Sequence, residues 1–217
     1  MTLPVLIGIT VAGCYLCGSI PFGLIIGKMN NIDIREHGSG NIGATNVLRT
    51  LGKKWGYTCF ACDLLKGLIP VIGCKFLARE SGLSSVEYIP ALAVVSTVLG
   101  HIFSIFLKFK GGKGIATSAG AILAIAPYSL LIALIVWIIV FKASGYVSLA
   151  SILAAISIPF LSFMENNLKL HDSPISVYSQ GILFAIAVLV TVKHKSNIQR
   201  LREGTESSFK KKKEEAS

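Results

Sequence analysis

Hydrophobic positions along the chain gather in six long windows, 3–27, 55–78, 88–107, 115–141, 145–164 and 175–192, separated by shorter polar links. The windows 3–27, 115–141, 145–164 and 175–192 contain no Asp, Glu, Lys or Arg. Each is about as long as the ~20 apolar residues that cross a ~30 Å hydrocarbon layer. The pattern predicts an all-α polytopic membrane helix bundle. It forms a single domain over 1–200, followed by a charged tail at 201–217, with no internal repeat. The first window lacks a basic start and a small-residue cleavage site and is followed by further apolar windows, so it reads as a retained helix and not a signal peptide.

Loop charges give an orientation. Five Lys or Arg lie in 28–54, three in 108–114 and eight from 193 onward, whereas 80–87 and 165–174 together hold only Lys169. Basic links belong in the cytoplasm, which puts the N-terminus outside and the C-terminus inside. Window 115–141 then has both ends on the cytoplasmic side and crosses an even number of times. Pro127 lies near its middle, where a helix loses a hydrogen bond. The expectation is a broken pair, 115–126 and 127–141, of ~18 and ~22 Å, shielded by neighbouring helices. The total is seven transmembrane helices, two of them short.

Composition agrees with a lipid-embedded chain: 53% of the 217 residues are hydrophobic and 15% charged, and the mean hydropathy is +0.68. A water-soluble enzyme, a secreted disulfide scaffold and a nucleic-acid-binding domain are excluded. The net charge of +10 comes from basic residues flanking apolar windows. Five cysteines, at 14, 17, 59, 62 and 74, read as small apolar helix residues, with no His or acidic partner at ligand spacing and hence no metal site. The end of the tail, Lys210 to Lys213 followed by Glu214 and Glu215, reads as polar and disordered, held near anionic lipid.

Candidate chemistry collects in three stretches that this topology puts on the cytoplasmic side. Arg35 to Arg49 contains Gly38, Ser39, Gly40, Asn41, Gly43, Thr45 and Asn46 ahead of a helical pattern. A glycine-rich turn leading into a helix N-terminus suits an anion, and an ordinary capped turn is the plain alternative. Gly100 to Thr117 carries His101 in an apolar window and then Lys108, Lys110, Gly111, Gly112, Lys113 and Gly114. Flexible backbone with ammonium groups suits phosphate; lysines snorkelling around a turn are the alternative. His101 is either a functional intramembrane group or a hydrogen-bonded structural one. In His194 to Glu206, His194, Asn197 and Arg200 share one face if the last helix continues. A basic membrane-exit helix is the alternative. Asp63 and Lys66, three apart inside an apolar window, form a structural pair, and Ser148 and Ser151 face the same site.

Four stretches in order, Gly18–Gly23, Gly38–Asn46, Gly100–Thr117 and His194–Glu206, make the chain resemble the bacterial acyl-phosphate:glycerol-3-phosphate acyltransferases, the PlsY family. Ile42 and Ser104 stand where many members have Pro. The resemblance implies a seven-helix enzyme of the bacterial inner membrane, with its active site facing the cytoplasm. It would transfer a fatty acyl group from acyl phosphate to the 1-hydroxyl of glycerol 3-phosphate, giving lysophosphatidic acid and phosphate, without a cofactor or nucleic acid and as a monomer. It assigns catalysis to Ser39, His101 and Asn197. Substrate binding falls to Ser39, Asn41, Thr45, Asn46, Arg49, Lys110, Gly111, Gly112, Lys113, Gly114, His194, Asn197 and Arg200, with Asp63, Lys66 and Glu206 as support. Either His101 or a substrate phosphate takes the hydroxyl proton. The His-x-x-x-x-Asp pair of soluble-type glycerolipid acyltransferases is absent, because Ile42, Phe106, Ser176 and Gln199 follow the four histidines at that spacing. A small anion transporter or channel, and a non-catalytic scaffold, are the rival classes.

Overall fold

A computed structural model describes residues 1–83, 86–170 and 174–210. Among them every regular element is helical: α1 (Leu3–Ser19), α2 (Phe22–Met29), α3 (Ala44–Leu51), α4 (Lys53–Glu80), α5 (Ile89–Ile102), α6 (Ile115–Leu123), α7 (Pro127–Ser144), α8 (Val147–Asn167), α9 (Val177–Lys193) and α10 (Lys195–Arg202). Four apolar stretches are long enough to cross a membrane, Leu3–Met29, Ile89–Leu107, Pro127–Ser144 and Val147–Asn167; the bent pair α9–α10 makes a fifth if it is one span. Two compact units divide the chain, Met1–Ile125 and Ala126–Ser217.

In the first unit, helices approach through glycine. A Cβ at Gly18 would lie 2.1 Å from the Thr97 carbonyl oxygen, and one at Gly120 would lie 1.9 Å from that of Leu64. Any larger residue would push α1 off α5, or α6 off α4. In lipid, where apolar side chains gain nothing by leaving water, such close backbone contact is what holds helices together.

Two apolar windows are divided where continuous helix was expected, and a third is divided where a break was expected. The first breaks at Ile20–Pro21, because Pro21 has no N–H to continue α1. The freed carbonyls are used: the Ser104 hydroxyl donates to Ser19 O at 2.6 Å and the Lys66 ammonium to Ile20 O at 2.6 Å. The third window stops being α-helix at Ile102 and turns through Ile105–Leu107, with Lys108 and Phe109 both at positive φ (51° and 63°). Window 115–141 does part at Pro127, but unequally. Helix α6 has nine residues and α7 eighteen, so the first is ~14 Å long and the second ~27 Å. Pro127 sits at the start of α7, where its missing N–H costs nothing.

In the second unit, α7 and α8 form an antiparallel hairpin around Gly145, which caps α7 at φ +77°. At the far end of the hairpin, Glu165 accepts from the Ser129 N–H at 2.7 Å and from its hydroxyl. It thereby supplies a carboxylate to the open N–H groups at the start of α7. Glu165 is a single acid just past an apolar window, and nothing in the local pattern points to its partner. The last helix does not run on as expected: α9 and α10 meet at 54°. His194 makes the bend. Its Nδ1 donates to Val190 O at 2.8 Å, and its backbone N–H bonds to Thr191 O. Residues 203–210 fold back onto the hairpin, with Phe209 N–H on Gly145 O and the Lys210 ammonium on Ala143 O. Of the stretch read as disordered, Lys210 to Glu215, only Lys210 is described, and it is held by that contact; 211–217 lie outside the described residues.

Candidate active site

The first unit carries two polar arrangements. One is the glycine-rich loop before α3. Gly38 and Gly40 adopt φ of +60° and +68°, a left-handed conformation that costs glycine little. Asn46, buried on α3, clamps the loop: its Oδ1 accepts from Ser39 N–H at 2.8 Å, and its Nδ2 donates to Ile34 O at 3.1 Å and His37 O at 3.0 Å. Asn41 Oδ1 accepts from Gly43 N–H at 2.9 Å, an Asx turn that leads into α3. Ser39 is exposed at the loop tip, and Thr45 and Arg49 are half-buried on α3. Asn46, read from sequence as a substrate ligand, instead has both amide ends committed to holding the loop. Arg35 is already paired to Asp33, whose carboxyl that guanidinium holds well below the usual carboxylate range.

The second arrangement is a buried cluster beneath the glycine–lysine loop. Asp63 and Lys66 pair at 2.8 Å with side chains only 3% and 4% exposed. His101, 4% exposed, has Nδ1 3.1 Å from the Thr117 hydroxyl and 3.9 Å from Asp63 Oδ1. The loop folds back over it. Gly111 N–H bonds to Ile102 O, and Gly112 N–H bonds to His101 O at 3.2 Å. A Cβ on Gly112 would stand 2.3 Å from His101 Nε2, and one on Gly111 would stand 2.0 Å from His101 O. The two residues at positive φ, Lys108 and Phe109, are held by bonds from Lys108 N–H to Ile105 O and from Phe109 N–H to Ser104 O. Lys108 and Lys110 are exposed, Lys113 is half-buried and Gly114 caps α6 at φ +87°. Thr117 joins this cluster through His101, and beside it Ser19 and Ser104 donate to the backbone carbonyls of Gly100 and Ser19. A lone hydroxyl in an apolar run carries no signal of its partner, although His101 and Thr117 both fall within Gly100–Thr117.

Chemically, this cluster is not a nucleophile–base relay. Thr117 and Asp63 both lie on Nδ1 of His101, whereas a relay needs the nucleophile and the orienting acid on opposite nitrogens. Its geometry suits a rigid floor that fixes where the glycine backbone sits.

In the second unit, Glu206 is the hub. Its carboxylate accepts from Ser148 Oγ at 2.6 Å, Asn197 Nδ2 at 2.8 Å and Arg200 Nε at 2.7 Å. Asn197 and Arg200 are thus brought together, while His194 sits at the bend. Ser151 accepts from the Trp137 indole at 3.1 Å and does not join them. Burial draws the Glu206 carboxyl upward, but the hydrogen bonds from Ser148, Asn197 and Arg200 outweigh it, so the carboxyl titrates below its ordinary value. A depressed folded-state value contributes stability that is complete above the unfolded value, about 4.3 for Glu, and is lost as pH falls through the folded one. Thermal unfolding of wild type should therefore weaken in acid more than that of Glu206→Gln. Parallel acid profiles for the two proteins would show that Glu206 is not the hub. Among the described residues, no three of His, Cys, Asp and Glu gather to hold a metal ion.

Comparison with known proteins agrees with this picture. Residues 8–204 match the glycerol-3-phosphate acyltransferase family model. Curated glycerol-3-phosphate acyltransferases from Trichlorobacter lovleyi and Geobacter sulfurreducens are 46% and 45% identical to the chain, over 92% and 93% of it and 96% and 97% of their own lengths. The one from Aquifex aeolicus is 40% identical over 90% of the chain and 95% of itself. Two crystal structures of PlsY (YgiH), an integral membrane glycerol 3-phosphate acyltransferase, are also similar. The glycerol 3-phosphate form has a TM-score of 0.83 and the lysophosphatidic acid form 0.81, each at 38% identity over 94% of this chain and 95% of the solved one. The chain belongs to the glycerol-3-phosphate acyltransferase family.

Proposed function

We propose that this membrane acyltransferase moves a fatty acyl group from acyl phosphate to the 1-hydroxyl of sn-glycerol 3-phosphate. In the reaction the hydroxyl oxygen attacks the acyl carbon, the acyl–phosphate bond breaks, and lysophosphatidic acid and inorganic phosphate leave. The observation that carries the reading is the glycine–lysine loop locked over buried His101. It offers ammonium groups to an anion and no nucleophile, while the Gly111 and Gly112 N–H groups are spent on Ile102 O and His101 O to fix the loop. A mixed anhydride already has a good leaving group and needs no acyl-enzyme. Orientation and stabilisation of negative charge suffice.

In the first unit, Ser39, Asn41, Thr45, Arg49, Lys110 and Lys113 hold phosphate, with Gly111, Gly112 and Gly114 giving the close approach. His101 positions the loop. Its burial and its Nδ1 partner support a substrate phosphate, and not the imidazole, as acceptor of the hydroxyl proton. In the second unit, His194, Asn197 and Arg200 hold phosphate, the last two oriented by Glu206. Residues 1–200 act as one catalytic domain, monomeric, in the bacterial inner membrane, with 201–217 as its tail. The N-terminus lies outside and the C-terminus and the reacting groups on the cytoplasmic side, as the basic links favour. Seven membrane helices result, α6 and α7 being the pair parted near Pro127; the Glu165–Ser129 bond supports α7 and α8 running in opposite directions.

Purified protein given radiolabelled glycerol 3-phosphate tests the donor. Labelled lysophosphatidic acid should form with palmitoyl phosphate and not with palmitoyl-CoA; equal product from the thioester would defeat the proposal. The loop clamp makes a second expectation. Asn46→Ala removes three hydrogen bonds to the Ser39 turn, each worth about 1 kcal/mol. The KM for glycerol 3-phosphate should rise about tenfold or more with a smaller change in kcat. An unaltered KM would separate the turn from substrate.

A further inference from the structure

The inside of the α9–α10 bend forms an open concavity of about 510 Å³ lined by Thr191, Val192, Lys195, Ile198, Gln199 and Arg202. This surface is separate from the Glu206 hub. At 100° per residue, Lys195, Ile198, Gln199 and Arg202 fall on one side of α10, and Asn197 and Arg200 fall on the other. Two exposed cations therefore stand at the mouth of the concavity, with Glu203, held by Gln199 Nε2 at 2.9 Å, as the acid beside them.

The apolar side of the concavity continues up α9. Phe184, Val188 and Val192, spaced four apart, are 63%, 50% and 61% exposed. They make an uncovered stripe along α9 that leads to the bend, beyond which α10 carries Lys195 and Arg202. An apolar track closed by paired cations fits a molecule with a hydrocarbon tail and an anionic head. A free phosphate would leave the stripe unused, and an acidic peptide has no reason to follow a lipid-facing helix.

We propose that this concave face binds a single anionic phospholipid of the surrounding bilayer. Its acyl chain lies along Phe184, Val188 and Val192, and its phosphate lies between Lys195 and Arg202. The site depends on the bend, and His194 fixes the bend through Val190 O.

The test uses the full chain in nanodiscs of phosphatidylcholine with graded phosphatidylglycerol, followed by native mass spectrometry of the retained lipid. Wild type should keep one phosphatidylglycerol. The double variant Lys195→Gln/Arg202→Gln should need about tenfold more of that lipid for the same occupancy. Lys53→Gln/Lys54→Gln, which removes equal charge from exposed residues at the start of α4, should behave as wild type. Val192→Trp, which fills the concavity without touching charge, should also release the lipid. Equal losses in the two double variants would reduce the effect to diffuse attraction and overturn the site. So would the absence of a retained lipid on wild type, or its displacement by palmitoyl phosphate at concentrations that saturate turnover.

Discussion

Gly112→Ala should lower acyl transfer at least ~100-fold in a chain that still folds. The new methyl carbon would stand 2.3 Å from His101 Nε2 and 3.1 Å from Cε1. The imidazole has little room to yield, because it is buried and its other nitrogen meets Thr117. The loop must give way, and with it the bond from Gly112 N–H to His101 O and the neighbouring contact of Gly111. A displacement of ~1 Å at a positioning element is enough for a loss of this size. Gly73→Ala is the control: a Cβ there meets nothing within 4 Å, and it should leave turnover unchanged. Wild-type rates in Gly112→Ala would mean that the loop is not where the substrates react.

Lys66→Met should be the most damaging single change to stability. Lys66 and Asp63 are both nearly inaccessible, and the ammonium also donates to Ile20 O, where Pro21 parts α1 from α2. Removing one member of a buried ion pair leaves the other charge uncompensated and costs about 3–5 kcal/mol. The pair itself is worth much less, because both charges lost their water on burial. Lys66→Met with Asp63→Leu should therefore recover much of the loss in detergent thermal unfolding. If the double variant is no better than the single one, the role of Lys66 at the Ile20 carbonyl outweighs its role towards Asp63. Little loss in either variant would remove the pair from the account of stability.

The sequence made the apolar windows legible because charge is excluded from lipid, and it made the Asp63–Lys66 pair legible because two charges three apart in such a window have little choice of partner. Pro127 marked a break because basic links at both ends of its window required a return crossing, and proline cannot continue the helix hydrogen bonds. Other features depend on contacts between distant residues. Pro21 carries the same chemical signal as Pro127, but the charges flanking its window call for a single crossing. What makes a break tolerable there is Lys66 and Ser104, far along the chain. The bend at His194 has neither Gly nor Pro, since it comes from a ring bonding back to its own helix. Glu165 and Ser129, 36 residues apart, meet only because α7 and α8 are antiparallel. At the site, residue types were readable but the division of labour was not. Asn46 looks like a ligand in a glycine-rich stretch, and only its bonds to residues 34, 37 and 39 identify it as the clamp.

The most direct measurement is steady-state kinetics of Arg49→Ala and Lys113→Ala at saturating palmitoyl phosphate, with folding checked by thermal unfolding. A charged hydrogen bond to substrate phosphate is worth about 1.5–3 kcal/mol. The KM for glycerol 3-phosphate should therefore rise at least ~tenfold in each variant, with unfolding temperatures near wild type. A wild-type KM in both would contradict the claim that these loops grip the substrate phosphate.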